Sequence, residues 1–391
     1  MGYTCLYRTG RRCKPLIKSI GYVTHRQRGE ARPEGALPSG RFPEDAVSCR
    51  FSASSGIPDS FTLVPRTSTT GSSHSVKKAA SNTQYPALAT EIGAGPFRLD
   101  DGDAYRRWRD RKLRDYPARA DELIVEVADP RSLSQAEAAE MLRICRKTNM
   151  VVYSSGLGEL AEKDIPRQLG AQFGLQHLDP NMLADDDGIT SLHVVPGKLR
   201  RGYIPYSNRR LLWHTDGYYN TAQQQIRAFI LHCVSPAAEG GVNSLMDPEL
   251  VYIELRDRDP ELVRALMQPD AMTIPANEEA GAETRPAQTG PVFSLDPDSG
   301  CLHMRYTART RSIEWKQDPA VDAAREQLEA LMEEGAPHVF TCRLESGQGV
   351  MSNNVLHKRS GFENDEEAGR SRLIYRARYY DRIAGTELEL N

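Results

Sequence analysis

The sequence predicts a mostly β fold of the jelly-roll type with flanking helices. Short apolar runs of strand length, separated by Pro-Gly and Gly-Gly pairs, follow one another between residues 190 and 246. Helix signals precede this region, and two of them enclose a further apolar run at residues 150–153. Helices followed by a β core are expected for a jelly roll that is supported by helices.

The composition excludes several classes of protein. The chain has 391 residues, enough for one large domain or two ordinary ones, and its net charge of −3 provides no basic field for nucleic acid. It contains no apolar run of about 18 residues, so we expect no membrane-spanning helix. The seven cysteines are scattered without a C-x-x-C pair, which favours free thiols in a reducing compartment. We therefore expect a cytoplasmic protein, and a homo-oligomer is left open.

Residues 1–92 differ in composition from the rest of the chain. They are rich in Ser, Thr, Gly, Pro and Arg and show no sustained apolar period, so we predict a disordered segment. The first 43 residues are basic with few acidic side chains, which loosely resembles a targeting presequence and would imply mitochondria. An unstructured tail, or a start codon assigned too far upstream, explains the same composition. One folded domain is predicted over residues 93–391.

Helix starts are marked by capping residues. Ser134 and Glu137 have the spacing of a capping box and predict a helix through Lys147. Three Asp-Pro pairs each combine an N-cap with proline at the first helical position. The remaining predicted helices occupy residues 105–114 and 164–173, begin at Asp247-Pro248 and Asp259-Pro260, and run from Asp318-Pro319 to Glu334.

The predicted strands are short and bounded by turn residues. They occupy residues 124–127, 150–153, 191–195, 227–234, 242–246, 339–342 and 372–380, together with the segments around His214 and His357. Residues 269–299 are rich in Pro, Gly, Ala and acidic side chains, and we interpret them as a long loop that forms a lid or an insertion.

The segment 211–218 carries the strongest chemical signal. His214 and Asp216 are two residues apart, so on a strand both side chains would point to the same face. A metal needs at least one more protein ligand, and the best candidate is His357, 141 residues beyond Asp216. Two histidines and one carboxylate form the facial triad of a non-haem Fe(II) site with three open positions. H-x-D alone is common, and a lone histidine in a strand is more often structural. Whether His214 and Asp216 bind a metal is therefore judged from the features downstream.

The C-terminal strand is unusual for its charge. Strand alternation places Arg372, Arg376 and Arg378 on one face. Such a face is either solvated or binds an anion, for which the planar guanidinium is well suited. Asn243, after the Gly-Gly turn, could add a neutral hydrogen bond to the same anion.

The order of these features resembles the taurine dioxygenase and γ-butyrobetaine hydroxylase (TauD/TfdA-like) family. The motifs are H-x-D, a Gly-Gly turn, N-x-x-x-H and R-x-x-x-R, and the resemblance extends from about residue 150 to residue 383. It implies a double-stranded β-helix, a cupin-like jelly roll, and an oxygenase that uses Fe(II), 2-oxoglutarate and dioxygen. It also implies that His214, Asp216 and His357 are the iron ligands.

The resemblance further assigns residues to the cosubstrate and the substrate. Arg372 matches the arginine that pairs with the distal carboxylate of 2-oxoglutarate, and Asn243 falls where the family often has Thr or Ser. Arg376 matches a position that contacts an anionic substrate in taurine-type members, and Tyr218 is a further candidate for the substrate pocket. The stretch before Arg372 is longer and more acidic than the family pattern, so Arg370 competes for the cosubstrate, although the R-x-x-x-R spacing favours Arg372.

The expected reaction is hydroxylation of a small anionic or zwitterionic molecule with release of succinate and CO2. A hydrolase that holds zinc with the same three ligands is one alternative. A catalytically silent β-helix that only binds a partner is a second. Oxidation of nucleic acid is a third, which the balanced net charge disfavours.

Overall fold

The computed structural model describes residues 95–180, 187–194, 204–279, 282–333 and 336–388. All of them belong to the unit Val76–Asn391. The N-terminal segment for which disorder or targeting is predicted lies outside the described residues. None of the described helices has the length and apolar content needed to cross a membrane.

Most of the predicted helices are confirmed. Within the described residues the α-helices are α1 Gly102–Leu113, α2 Gln135–Thr148, α3 Asp164–Gln172, α4 Pro248–Arg258, α5 Pro260–Leu266 and α6 Pro319–Ala330. Four of them begin at a predicted cap whose side chain accepts a hydrogen bond from a backbone N–H of the first turn. These caps are Ser134, Asp247, Asp259 and Asp318.

The strands are short and numerous. They are β1 Ile124–Val127, β2 Met150–Ser155, β3 Thr190–Leu192, β4 Leu211–His214, β5 Ala228–Ser235, β6 Glu239–Gly240, β7 Asn243–Met246, β8 Met272–Ile274, β9 Asn277–Glu279, β10 Ala282–Arg285, β11 Gln288–Gly290, β12 Phe293–Leu295, β13 Leu302–Met304, β14 Glu314–Trp315, β15 Phe340–Cys342, β16 Gln348–Ser352, β17 Leu356–Arg359, β18 Phe362–Glu363 and β19 Leu373–Tyr379.

Two sheets carry the fold. The large sheet has the strand order β1-β2-β16-β5-β19-β3, and the small sheet has the order β15-β7-β17-β4. The chain passes from the small sheet to the large one in the steps β4 to β5, β15 to β16 and β17 to β19. All pairs in these two sheets are antiparallel except β1 with β2, which is parallel. Repeated crossing between two mainly antiparallel sheets is the connectivity of a jelly roll. The predicted double-stranded β-helix with flanking helices is confirmed.

The space between the sheets is filled by apolar side chains from both of them. Phe229 and Val350 come from the large sheet, and Leu245 and Phe340 come from the small sheet. Helices α2 and α3 pack against the large sheet at β2 and β5. The large sheet is therefore covered by helices on the side away from the small sheet.

A second core covers the outer face of the small sheet. Trp213, Met246 and Leu356 point into it and meet side chains of α1, α4, α5 and α6. Successive side chains of a strand point to opposite faces. His214 and His357, the residues that follow Trp213 and Leu356, therefore face the space between the sheets.

Residues 269–299 do not form the long loop that the sequence predicted. They contain β8 to β12, of which β8 pairs with β11 and β14, β9 pairs with β10, and β12 pairs with β13. Runs of three or four residues between prolines and glycines are long enough to pair locally. The role of this segment as a lid or an insertion stays a prediction.

Two predicted element ends were also wrong. Strand β3 ends at Leu192 and not at Val195, because it pairs over three residues with β19 at the edge of the large sheet. Helix α6 ends at Ala330, before the predicted end at Glu334, which lies outside the described residues.

Candidate active site

His214 and His357 occupy opposed positions on adjacent antiparallel strands. They are direct partners in the register of β4 and β17, both are buried, and their ring centroids lie 4.2 Å apart. The ring centroid of His357 also lies 4.7 Å from that of Phe229 on β5, so the histidine pair of the small sheet packs against the large sheet. Two imidazoles that are far apart in the sequence thus meet in the interior.

The side chain of Asp216 lies beside the two histidines, but not on the secondary-structure element that the sequence predicted. Strand β4 ends at His214 and Asp216 lies in the turn that follows, so the expectation of one shared strand face is wrong. The side chain of Asn354 holds this turn. It accepts a hydrogen bond from the N–H of Asp216 at 2.8 Å, and its amide donates to the carbonyls of Asp216 at 3.0 Å and Ile226 at 2.7 Å.

The three side chains form a set that fits a metal ion. One ligand atom from each of His214, Asp216 and His357 lies within 4.8 Å of the others. In each histidine Nδ1 lies 2.9 Å from the carbonyl oxygen two residues earlier, which fixes the tautomer and leaves Nε2 for a metal. Among the described residues, Oδ2 of Asp216 is buried without a hydrogen-bond partner. A buried carboxylate oxygen of this kind is one that a bound cation would satisfy.

The ionisation states also suit a metal. Burial, assisted by the neighbouring His357, lowers the pKa of His214 to about 3, and burial lowers the pKa of His357 as well. Burial opposes ionisation of Asp216, but the charges of Arg376 and Arg378 outweigh it and hold the pKa of Asp216 well below its usual value. Neutral imidazoles and an ionised carboxylate are the forms that bind a metal, so no proton has to leave.

Asn354 is a positioning residue for Asp216, and replacing it with alanine should weaken metal binding. The variant loses the three hydrogen bonds to Asp216 and Ile226, which leaves two buried carbonyls without that donor. We expect a loss of metal affinity of about 10- to 100-fold. Anaerobic titration with Fe(II), or with Mn(II) in its place, measures this affinity.

The neighbouring Asn353 provides the matched control for this prediction. It is equally buried in the same turn, but its amide binds Asn149 and Thr386 and its oxygen accepts from the N–H of Ile383. Asn353→Ala should therefore lower the stability without changing the metal affinity of the folded protein. Equal losses of metal affinity in both variants would show that Asn354 acts only through general stability.

Arg372 and Arg370 have very different surroundings. Arg372 is buried, and its Nη1 has no partner within the described part of the chain. Burial, together with the charge of Arg359, lowers the pKa of Arg372 to about 9. The side chain of Arg370 is 61% exposed and pairs with Asp365 at 2.9 Å. Burial separates the two candidates that strand alternation could not separate, and it favours Arg372 as an anion-binding residue.

Asn243 lies on the small sheet next to the same region. It is buried and is the register partner of Arg359 on β17 and of Cys342 on β15. If Gly241, two residues earlier, carried a Cβ atom, that atom would lie 3.8 Å from Nε of Arg372. Gly241, two residues before Asn243, thus lies next to Arg372, and the bond of Asn243 to the cosubstrate stays a prediction.

The arginines of β19 do not form a solvated face. Arg376 is buried and donates from Nη1 to Oδ1 of Asp216 at 3.1 Å, so it orients the carboxylate of the metal set. Arg378 is buried and bonds to Asp179 and, at 2.9 Å, to the hydroxyl of Tyr219. The solvated alternative for this strand is wrong, whereas a contact of Arg376 with substrate stays a prediction.

Tyr218 lies at the edge of the histidine pair. Its ring centroid is 6.4 Å from that of His214, and the side chains of Thr307 and Arg309 lie close enough to its hydroxyl to influence its pKa. Thr307 is itself bridged to His214 through the backbone. Tyr218 and Arg309 therefore present a phenol and a cation near the metal set.

Sequence reasoning missed Asn354, Arg309 and Arg359. Arg359 alone had a usable signal, because it lies two residues after His357 on a predicted strand and so shares its face. The contacts of Asn354 and Arg309 join segments that are distant in the sequence, and no local pattern indicates them.

The sheets bring together two imidazoles and one carboxylate, and the chain also buries Arg372, whose Nη1 has no partner among the described residues. This is the set of groups that the sequence predicted by its resemblance to 2-oxoglutarate oxygenases. The chain belongs to the family described as "Taurine catabolism dioxygenase TauD, TfdA family", whose model matches residues 110–378. Fe(II), 2-oxoglutarate and dioxygen, the predicted cofactor and cosubstrates, are those of this family. The predicted resemblance is confirmed.

Known relatives match the chain over part of its length. It is 32% identical over 168 residues to a uridine-5′-phosphate dioxygenase from an Amycolatopsis species, and 31% identical over 176 residues to one from a Streptomyces species. These matches cover 41% and 42% of this chain, and 58% and 60% of the relatives. The chain thus spans about three-fifths of the length of the curated relatives it matches.

Solved structures to which this chain is similar include an asparagine oxygenase in complex with Fe(II), a 3-hydroxyasparagine and succinate. That structure is 15% identical with a TM-score of 0.47, and the match covers 75% of this chain and 87% of that one. A taurine dioxygenase from Burkholderia xenovorans is 18% identical with a TM-score of 0.44, with 67% of this chain and 89% of that one covered.

Proposed function

We propose that the protein is an Fe(II)- and 2-oxoglutarate-dependent dioxygenase that hydroxylates a small anionic organic molecule and releases succinate and CO2. One observation carries this proposal. The buried Oδ2 of Asp216 and the buried Nη1 of Arg372 both lack a partner among the described residues. A buried carboxylate and a buried guanidinium thus each keep one atom free for a ligand, and iron together with 2-oxoglutarate would satisfy both.

Each residue of the site has a distinct task in this proposal. His214, Asp216 and His357 would hold the iron on one side and leave the other side open. Arg372 would bind the distal carboxylate of 2-oxoglutarate, and its planar guanidinium can contact both oxygens. Arg376 keeps Asp216 ionised and oriented, and the apolar side chains between the sheets exclude water. Bound iron supplies the redox chemistry by which 2-oxoglutarate and dioxygen oxidise a substrate C–H bond.

The zinc hydrolase alternative explains less of the site. It would use the same three ligands, but it gives no task to a buried guanidinium without a carboxylate partner such as Arg372. Keeping a buried charge unpaired is costly unless an anion compensates it. A silent binding module likewise gives no task to the two histidines, each of which is fixed at Nδ1 with Nε2 left for a metal.

An anionic substrate is supported by two observations. The ring of Tyr218 lies next to that of His214, and Arg309 lies near the hydroxyl of Tyr218. The two curated relatives are named for a substrate that carries a phosphate. We propose a small phosphate- or carboxylate-bearing molecule rather than nucleic acid, because the net charge of −3 offers no field for a polyanion. The four cysteines of the described part are free, which supports a reducing compartment such as the cytoplasm.

The proposal is tested by substrate-dependent formation of succinate. Purified protein is supplied with Fe(II), ascorbate and labelled 2-oxoglutarate, together with a panel of nucleoside monophosphates, sulfonates, amino acids and betaines. Succinate should appear above the level of a His214→Ala control, and one class of the panel should increase it. No succinate above that control with any compound would count against an oxygenase.

A further inference from the structure

Arg359 is a buried cation to which the proposed function gives no task. It lies two residues after His357 on β17, so both side chains share the inward face of the strand. Its neighbour Lys358 points the other way, with Nζ 4.9 Å from the ring centre of Trp213. The side chain of Arg359 is fixed by donation from Nη2 to the carbonyls of Ser207 at 3.0 Å and Arg209 at 2.5 Å.

Arg359 and Arg372 form a pair of like charges around one ring. Their guanidinium carbons lie 4.7 and 5.2 Å from the ring centre of Phe362. Burial lowers the pKa of Arg359 to about 10, and the charge of Arg359 adds to the effect of burial on Arg372. Neither guanidinium has a carboxylate within bonding distance in the described ranges.

Two buried guanidiniums that repel each other destabilise the fold unless an anion lies close to both. A site that binds a carboxylate from solution accounts for both charges. The arrangement therefore points to a ligand whose negative charge is felt by Arg359 as well as by Arg372.

We propose that Arg359 is a second, positioning cation of the cosubstrate slot, which strengthens binding of the distal carboxylate of 2-oxoglutarate through its fixed charge. This inference rests on the proposed function, in which Arg372 contacts that carboxylate directly. Arg359 acts differently, because two backbone carbonyls occupy its Nη2 and hold the guanidinium in place. Its contribution is long-range attraction and not a two-pronged hydrogen bond.

This difference separates the roles of the two arginines in an experiment. A lysine at position 359 keeps the positive charge, so it should keep most of the effect. A glutamine keeps hydrogen-bond donors but removes the charge, so it should lose the effect. At position 372, lysine should fail, since it cannot replace a planar guanidinium that contacts both oxygens of a carboxylate.

The test measures 2-oxoglutarate affinity by calorimetry on Mn(II)-loaded protein under anaerobic conditions, so that no turnover is needed. The variants are Arg359→Gln and Arg359→Lys. The exposed Arg264→Gln is the matched control, because Arg264 pairs with Glu261 on the surface of α5. Arg359→Gln should raise the dissociation constant about tenfold, the effect expected for one partly screened charge near a carboxylate. Arg359→Lys should stay within about threefold of the wild type, and the control should be unchanged.

The outcomes are separable. Tight binding to Arg359→Gln would overturn the inference, and so would equal losses in the Gln and Lys variants, which would mean that Arg359 only supports the chain at Ser207 and Arg209. If Arg359→Gln does not fold, Arg359→Met, which fills a similar apolar volume, is measured in its place with the same criteria. If the wild-type protein itself does not bind 2-oxoglutarate, the proposed function fails and this inference fails with it, whereas wild-type binding with an unaffected Gln variant removes only this inference.

Discussion

Replacing His357 with alanine is expected to abolish both metal binding and succinate formation. His357 is the one member of the metal set that β17 contributes, and its Nδ1 is already engaged by the carbonyl of Val355, so Nε2 is its only ligand atom. Two ligands cannot hold iron in the geometry that three define. We expect a loss of activity on the order of a thousandfold or more, which corresponds to at least about 4 kcal/mol of transition-state stabilisation. Metal content after anaerobic reconstitution and the rate of succinate formation are measured together.

A loss of activity could also follow from a damaged core, because the ring of His357 packs against Phe229. His357→Gln keeps more of the side-chain volume, and it should also lose the metal while unfolding at a temperature close to that of the wild type. His177→Ala is the control for histidine removal as such, since the His177 side chain is 73% exposed and pairs with Asp381. A His357→Ala protein that retains one metal ion per chain would remove His357 from the ligand set.

The parts of the fold that the sequence predicted are those with a local cause. Caps such as Ser134 and Asp247 begin their helices because a side chain and a backbone N–H three or fewer residues apart satisfy each other. The inward direction of His214 and His357 follows from the apolar residue that precedes each of them on its strand. Alternation and capping depend on short stretches of chain, so one sequence is sufficient.

The parts that the sequence did not predict depend on contacts between distant segments. Asp216 points at the histidines because Asn354, 138 residues away, fixes its backbone on both sides. The choice between Arg370 and Arg372 depends on burial, and both positions look alike in strand alternation. The repulsion between Arg359 and Arg372 is likewise a tertiary property, because Phe362 brings together two strands that the sequence alone does not pair.

Replacing Arg372 with alanine is expected to raise the apparent Michaelis constant for 2-oxoglutarate strongly while leaving the metal in place. The carboxylate of the cosubstrate would lose its charged partner in a buried site, which costs about 2–5 kcal/mol, or roughly 30-fold to more than a thousandfold in affinity. Arg372 makes no bond to His214, Asp216 or His357, so Mn(II) affinity should be unchanged. Succinate formation is measured over a range of 2-oxoglutarate concentrations at saturating Fe(II).

Arg370→Ala is the decisive comparison, because Arg370 is two residues away and carries the same charge on the surface. Its pairing with Asp365 predicts little effect on the Michaelis constant, within about twofold, as is usual for an exposed ion pair. A large effect at Arg370 with an unchanged value at Arg372 would reassign the cosubstrate residue and leave the buried guanidinium unexplained.

The Arg372→Ala protein should also be no less stable than the wild type without ligand, since the substitution removes a buried charge that has no anionic partner among the described residues. If it is much less stable, Arg372 serves the fold and the cosubstrate slot must be sought elsewhere.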